Sequence, residues 1–341
     1  MHTDASKKNC PTLGGNKVRD ERIDALKFWL IVLVISVHVL MRKEFADSKA
    51  CSVLWNWICI FAMPLFIFIS GKFSRKKDKK DFLPSIWKLL EPLIIFQIIA
   101  LLFYVKSLSI RTILTPWFML WYLLSLIYWR LMLQIIPDKI LRKKKLILIS
   151  AFCISILAGF LPFDSLLSMQ RTLALMPFFF LGYYMKDKNL YLPDKYILLC
   201  IVFLIGILAI LFFFPYRIND LLYYKPYRSI SGAAIRMIAF AFAIPMSIAF
   251  ANICYYTPWI ARQGGLSMQY YLYHALVIPA NKALITPPLI VVASKWNFPM
   301  SFGTAVIIII GTTLGLSLVL KIPYIRKLTN PSSIFLSSSE K

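Results

Sequence analysis

The chain has 341 residues, of which 59% are hydrophobic and 16% are charged, with a net charge of +24 and a mean hydropathy of +0.70. A soluble domain of this length carries roughly 25% charged residues, so the composition excludes an ordinary soluble protein. The basic residues lie at the ends of apolar stretches, and we therefore read them as signals for membrane orientation. No nucleic-acid partner is expected, because the sequence lacks a basic soluble domain with interleaved aromatic residues.

Apolar segments of membrane-spanning length follow one another along the whole chain. Each segment has to form an α-helix, because lipid offers no hydrogen bonds to the backbone. The predicted spans are 23–41, 53–71, 84–105, 116–136, 146–163, 169–185, 196–214, 230–251, 266–286 and 302–322. The predicted fold is an all-α integral membrane protein with about ten transmembrane helices.

Basic residues mark alternate loops. Residues 72–82 hold six lysines and arginines, residues 137–145 hold five, and the loop after the sixth span adds three lysines. The positive-inside rule places these loops in the cytoplasm, together with both termini. We therefore expect a cytoplasmic N-terminal segment (1–22) without a cleavable signal peptide, a transmembrane domain (23–322) and a cytoplasmic tail (323–341).

The first predicted span carries ionisable residues that are costly in a membrane. Lys27 and His38 are eleven residues apart, so they lie within about 20° of one helix face and about 16 Å apart along the axis. Asp24 lies beside Lys27 at the cytoplasmic end. This pattern is typical of a helix that lines a cavity, with a charged mouth and a deeper imidazole that can act as a general base. The alternative is that Asp24 and Lys27 are interfacial anchors and His38 is a packing residue.

The ninth span presents a second polar stripe, because Ser267, Tyr271 and His274 are spaced at i, i+4 and i+7. We treat these three residues as further candidates, although the tyrosine could simply pack. Trp121 in the fourth span is another candidate, with core packing as its alternative.

Other charged residues fall within or beside the spans. Arg171 and Arg236 lie at the predicted outer starts of spans six and eight, at the level of His38, and Lys88 lies in the cytoplasmic half of span three. Lys88 is either a functional residue or a snorkelling anchor. The six cysteines show no C-x-x-C motif and no Cys/His metal-ligand spacing, so we expect no metal site and no redox site.

The start of the first span has the pattern R-x-D-x-x-K, followed by ten residues and a histidine (Arg22, Asp24, Lys27, His38). This pattern resembles the membrane acyltransferase-3 family, and within it the fucose 4-O-acetylase-like branch. The resemblance extends over nearly the whole chain, through MPLFIFISGKF (63–73), KLLEP (88–92), PWFMLWYLLSLIYWR (116–130), LALMPFFFLGYYMK (173–186) and GGLSMQYYLYH (264–274). Glu91 departs from the family pattern, in which the residue before this proline is more often apolar.

The resemblance implies an enzyme of the bacterial cytoplasmic (inner) membrane. Such an enzyme transfers an acyl group, usually acetyl, from acyl-CoA to a hydroxyl of a surface or exported glycan, with acyl-CoA as co-substrate and no bound cofactor. It implies a catalytic His38, either as a general base or as an acyl carrier, with Arg171 or Arg236 stabilising the oxyanion or orienting the glycan. The residues expected to hold acyl-CoA at the basic mouth are Asp24, Lys27, Lys72, Arg75 and Lys88.

The main rival interpretation is a transporter or flippase of a polar lipid or saccharide. Ten spans with buried charges suit that class as well. Transporters often contain internal repeats, and this sequence shows none. A structural subunit without chemistry does not account for Lys27, His38 and Arg236 within apolar helices. The sequence leaves the acceptor glycan and the oligomeric state open.

Overall fold

The computed structural model describes residues 20–42, 45, 48–105, 107–162, 166–213, 226–227, 229–284, 302–323 and 325. These residues form helices and turns, without a strand. Ten longer helices are α1 (Glu21–Leu40), α2 (Lys49–Lys72), α3 (Lys79–Phe103), α5 (Trp121–Ile135), α7 (Lys144–Ala158), α8 (Met169–Tyr184), α9 (Ile197–Phe213), α10 (Ile230–Ile253), α12 (Ser267–Leu284) and α13 (Phe302–Val319). Three short helices are α4 (Ile110–Leu114), α6 (Asp138–Leu141) and α11 (Pro258–Gly264).

A helix overlaps each of the ten predicted spans. Six of the helical segments are long and apolar enough to cross a membrane: Glu21–Leu40, Lys49–Lys72, Lys79–Phe103, Asp194–Phe213, Ile230–Ile253 and Phe302–Val319. The all-helical, multi-pass character of the protein is therefore confirmed. The number of ten crossings and the cytoplasmic position of the termini stay predictions.

The fourth predicted span begins later than expected, at Trp121 rather than at residue 116. Phe118 adopts a left-handed backbone conformation with φ 49°, which interrupts any helix through this position. The backbone N–H of Trp117 donates to the side chain of Gln97 on α3 (2.8 Å) instead of to a helical carbonyl. Hydrophobicity alone could not show this break, because the segment is apolar throughout.

The first two helices form the centre of the molecule. In each of α1 and α2, 67% of the apolar span is buried, compared with 22% in the span that contains α9 and 28% in α13. The exposed face of α9 carries large apolar side chains, including Leu198, Val202 and Ile205. Such a surface suits lipid rather than water. His38 therefore lies on a central helix and not on the lipid-facing rim.

Helices α2 and α8 approach each other closely through two glycines. A Cβ atom on Gly71 would collide with the backbone of Phe179, and one on Gly182 would collide with the backbone of Phe68. Small residues at such positions let membrane helices pack with their backbones close together. This packing fixes α8, which carries Arg171, beside the central helix α2.

The ends of several helices meet at one end of the bundle, which we call the basic end. The Lys72 ammonium group at the end of α2 donates to the carbonyls of Met185, Lys186 and Lys188, at 3.0, 2.8 and 2.6 Å. Lys76 forms an ion pair with Asp138 at the start of α6 (2.9 Å). That hydrogen bond and the positive charge hold the pKa of the Asp138 carboxyl below its ordinary value.

Candidate active site

His38 lines a small cavity between α1, α2 and the starts of α5 and α8. This histidine cavity has a volume of about 120 Å³, and its walls include His38, Cys59, Met63, Met119, Trp121 and Arg171. The ionisable groups in its wall are the His38 imidazole, the Arg171 guanidinium and the Cys59 thiol. Because most of the wall is apolar, a charge on Arg171 acts on a substrate in this cavity with little screening by water.

The imidazole of His38 is held by ring packing. Its centroid lies 4.5 Å from the Phe118 ring and 5.9 Å from the His274 ring. The buried Nδ1 atom has no hydrogen-bond partner in the part of the chain that the structure describes. Core histidines normally satisfy their nitrogens with partners. This observation favours a functional role for His38 over the packing alternative.

His274 is fully buried, and one of its hydrogen bonds fixes its tautomer. Its Nδ1 atom lies 3.0 Å from the carbonyl oxygen of Tyr270. A carbonyl oxygen can only accept, so Nδ1 carries the proton and Nε2 carries the lone pair. The Nε2 atom is buried without a partner among the described residues. The two histidines predicted from separate helices are thus neighbours, and within the described part of the chain each has a ring nitrogen without a partner.

Arg171 and Trp121 meet in the wall of the histidine cavity. The guanidinium carbon of Arg171 lies 5.2 Å from the centroid of the Trp121 ring, in a cation–π contact. Arg171 lies in the first turn of α8, and Trp121 is the first residue of α5. Both candidates therefore share a cavity with His38, and the tryptophan ring limits the positions that the guanidinium can take.

Arg236 lies elsewhere, against α7, and is not among the residues that line the histidine cavity. It is fully buried, and its Nη1 atom donates to the carbonyl of Ser155 (2.9 Å). Its guanidinium carbon lies 4.3 Å from the centroid of the Tyr227 ring. Tyr227 in turn donates its backbone N–H to the carbonyl of Gly159 (2.6 Å). Arg236 thus helps to hold the segment before α10 against the end of α7.

A second cavity, the middle cavity, lies closer to the basic end and has a volume of about 180 Å³. Lys27 is one of its lining residues, and an ion pair of 3.1 Å joins the Lys27 ammonium to the Asp24 carboxylate. The other polar residues of its wall are Ser70, Tyr122, Arg130, Ser267 and Tyr271. The structure therefore brings Ser267 and Tyr271 of the ninth predicted span to the same cavity as Lys27, whereas His274 is not among its lining residues.

The histidine cavity and the middle cavity are neighbours. The hydroxyl of Tyr271, which lines the middle cavity, donates to the carbonyl of Met119, which lines the histidine cavity. The Tyr122 and Ser70 hydroxyls also bond to each other in the wall of the middle cavity. The hydrogen bond from Tyr271 to Met119 therefore links the walls of the two cavities.

The third cavity, the basic-end cavity, has a volume of about 390 Å³ and shares the residue Phe73 with the middle cavity. Its wall includes Arg75, Lys186 and Lys188 as cations. Lys72 also lines it, but the three protons of its ammonium group already serve the three carbonyls described above. Lys88 is exposed on α3 and is not among the lining residues of the three cavities.

Two residues that the sequence did not single out stand out in the structure. Phe118 covers the His38 ring, and Gln97 holds the backbone just before Phe118. The sequence contained a signal for Gln97, because a carboxamide within an apolar span is costly unless it has partners. It contained none for Phe118, whose left-handed backbone is not visible in an aromatic, apolar segment.

These features define a class of protein, a multi-pass helical membrane protein in which a histidine on a central helix lines a small cavity. The family model for an acyltransferase domain, that of the acyltransferase-3 family, matches residues 20–321. The chain therefore belongs to the acyltransferase-3 family. It matches none of the curated proteins and none of the solved structures with which it was compared.

Proposed function

We propose that the protein is an O-acetyltransferase of the bacterial cytoplasmic membrane. It moves an acetyl group from acetyl-CoA to a hydroxyl of a surface or exported glycan, as the fucose 4-O-acetylase-like branch does. The observation that carries this proposal is the histidine cavity, where the Nδ1 atom of His38 has no partner among the described residues and the imidazole shares the wall with Arg171. Membership of the acyltransferase-3 family favours this reading over a transporter.

The series of three cavities supports a route for the donor. Arg75, Lys186 and Lys188 supply positive charge for the phosphates of CoA at the basic end. The pantetheine arm then passes the Lys27 ammonium, which Asp24 orients, and brings the thioester through the middle cavity towards His38. Lys72 contributes by fixing the wall of the basic-end cavity. Lys88, exposed on α3, has no part in this route.

The chemistry follows from the groups in the histidine cavity. A ring nitrogen of His38 removes the proton from the acceptor hydroxyl, whose oxygen attacks the thioester carbonyl. Arg171 stabilises the negative charge that develops on that carbonyl oxygen. The C–S bond then breaks, and the CoA sulfur leaves and takes the proton from His38. In the alternative route His38 itself accepts the acetyl group from CoA and then passes it to the hydroxyl.

The size of the histidine cavity supports acetyl as the transferred group. Its volume of about 120 Å³ is well below the roughly 300–1,000 Å³ of pockets that hold drug-sized ligands. Met63, Met119 and Trp121 fill the space around His38. A two-carbon acyl group fits such a space, whereas a long acyl chain would require these side chains to move.

The test is the O-acetyl content of cell-surface glycans in cells that carry the wild-type protein, His38→Ala or no protein, at matched membrane levels. We expect O-acetyl groups with the wild type and a loss of about 10²–10⁴ in rate for His38→Ala. Arg111→Ala is the control, because Arg111 is an exposed residue of α4 and should acetylate as the wild type does. If no glycan differs in acetylation under any condition, the transferase proposal is wrong and a transporter becomes the favoured interpretation.

A further inference from the structure

Gln97 on α3 uses both ends of its carboxamide to hold the chain that leads to the active site. Its Nε2 atom lies 3.0 Å from the carbonyl oxygen of Thr115 and 3.4 and 3.5 Å from those of Ile113 and Thr112. Its Oε1 atom accepts from the backbone N–H of Trp117 (2.8 Å). The carbonyls of Thr112 and Ile113 lie at the end of the short helix α4, and Thr115 and Trp117 lie in the non-helical segment that follows, so Gln97 pairs backbone groups at the point where the helix ends.

The residue that follows is Phe118, whose ring centroid lies 4.5 Å from that of His38. Its φ of 49° is an unfavourable conformation for an aromatic residue, and it persists only where the surrounding contacts enforce it. The neighbouring Trp117 ring stacks at 4.9 Å on Tyr104, the residue that ends α3, and the Tyr104 hydroxyl donates to the carbonyl of Leu276 (3.0 Å). Helix α3 thus holds this segment at two points.

His38 needs such support. A catalytic histidine is usually oriented by a hydrogen bond to one of its nitrogens. The Nδ1 atom of His38 has no such bond within the described part of the chain, so the rings of Phe118 and His274 supply the orientation instead. Anything that lets Phe118 relax to an ordinary backbone conformation would therefore loosen the imidazole.

We propose that Gln97 is a positioning residue for acyl transfer. Its carboxamide fixes residues 112–117, which keeps Phe118 in its left-handed conformation and its ring against the imidazole of His38. The proposal rests on the proposed function, in which His38 is the residue that carries out acetyl transfer.

The first experiment compares Gln97→Leu with Gln134→Leu. Gln134 is a matched control, because its Nε2 atom donates to the carbonyl of Lys77 (2.7 Å) and its Oε1 atom accepts from the N–H of Lys77 (3.2 Å) at the basic end. Acetyl transfer from labelled acetyl-CoA is measured in membrane vesicles that contain the glycan acceptor. We expect Gln97→Leu to lower kcat about tenfold to hundredfold with an unchanged KM for acetyl-CoA, because misplacement by about 1 Å can cost that much. Gln134→Leu should keep the wild-type kcat.

A double-mutant cycle tests whether Gln97 acts through Phe118. If it does, Gln97→Leu combined with Phe118→Leu should be no slower than the slower single variant. Losses that multiply in the double variant would overturn the proposal, as would a wild-type kcat in Gln97→Leu.

A second readout does not depend on acetyl transfer. The rate at which diethyl pyrocarbonate modifies His38, followed by mass spectrometry, reports how tightly the ring is covered. We expect faster modification in Gln97→Leu and in Phe118→Leu than in the wild type and in Gln134→Leu. An unchanged rate in Gln97→Leu would overturn the positioning role even if no acetyl transfer is found. Faster modification without any acetyl transfer in the wild type would instead contradict the proposed function alone.

Discussion

The neighbouring rings of His38 and His274 differ in how their nitrogens are bonded. His274 is fixed by its bond to the carbonyl of Tyr270, and its Nε2 atom has no partner among the residues that the structure describes. With ring centroids 5.9 Å apart, one water or hydroxyl can bridge the two rings. We expect His274→Phe, which keeps an aromatic ring, to lower kcat for acetyl transfer about tenfold or more, but less than His38→Ala does. A His274→Phe protein with wild-type kcat would show that this nitrogen takes no part.

Arg171 and Arg236 are both arginines in apolar surroundings, and the structure predicts opposite phenotypes for them. Arg171→Met removes the positive charge beside His38, so kcat should fall about 10²–10³-fold with little change in Tm. Arg236→Met leaves the Ser155 carbonyl without its donor, at a cost of about 1–3 kcal/mol, so Tm should fall while the folded protein keeps its kcat. Purified protein in lipid nanodiscs serves for both measurements. A stable Arg236→Met protein without activity would contradict this structural role and indicate that Arg236 takes part in acetyl transfer.

The sequence identified the charges in the membrane but not their neighbours. His38, His274 and Arg171 were all visible as costly residues in apolar helices. In the structure His38 and Arg171 line one cavity, and the His274 ring lies beside the His38 ring. Arg236 gave the same signal, yet its partners are Ser155 on α7 and Tyr227 in the segment before α10. Which helices are neighbours depends on packing between distant segments, and hydropathy does not encode it.

Helices α2 and α8 pack closely through two glycines, and these glycines carry an element-scale prediction. Gly182→Ala places a methyl group against the backbone of Phe68, so α8 has to move away from α2. Overpacking of this kind costs about 1–3 kcal/mol, and the fraction of protein that runs as a monodisperse species in detergent should fall. Gly206→Ala on α9 is the control, because nothing lies within 4 Å of the added Cβ atom. Equal behaviour of the two variants would contradict the close packing.

The positions of the helices could be predicted well because lipid forces each apolar segment to satisfy its own backbone. The exception is the start of α5. The helix was expected from residue 116 but begins at Trp121, and Gln97 binds the non-helical segment before it. The break depends on a side chain from a different helix and on one left-handed residue, Phe118. Local hydrophobicity reports neither of these causes.

At the scale of the whole molecule, the basic loops predict that both termini and the even-numbered loops are cytoplasmic. The test is labelling of single cysteines by a membrane-impermeant maleimide in intact cells, in a background where the six native cysteines are replaced. Ser107→Cys, in an exposed turn after α3, should be labelled. Lys139→Cys, exposed in α6 at the basic end, should be labelled only after the cells are opened. The reverse pattern would contradict the orientation.

The three cavities follow α1 from the basic end to His38, and this order is the basis of the proposed donor route. The most direct test uses inside-out membrane vesicles, which present the cytoplasmic face, with acetyl-CoA labelled in its acetyl group. The account predicts that wild-type vesicles and Arg111→Ala vesicles transfer label to the glycan, whereas His38→Ala vesicles lose about 10²–10⁴ in rate at equal protein level. Label transfer by His38→Ala at the wild-type rate would contradict the central claim that His38 carries out the acetyl transfer.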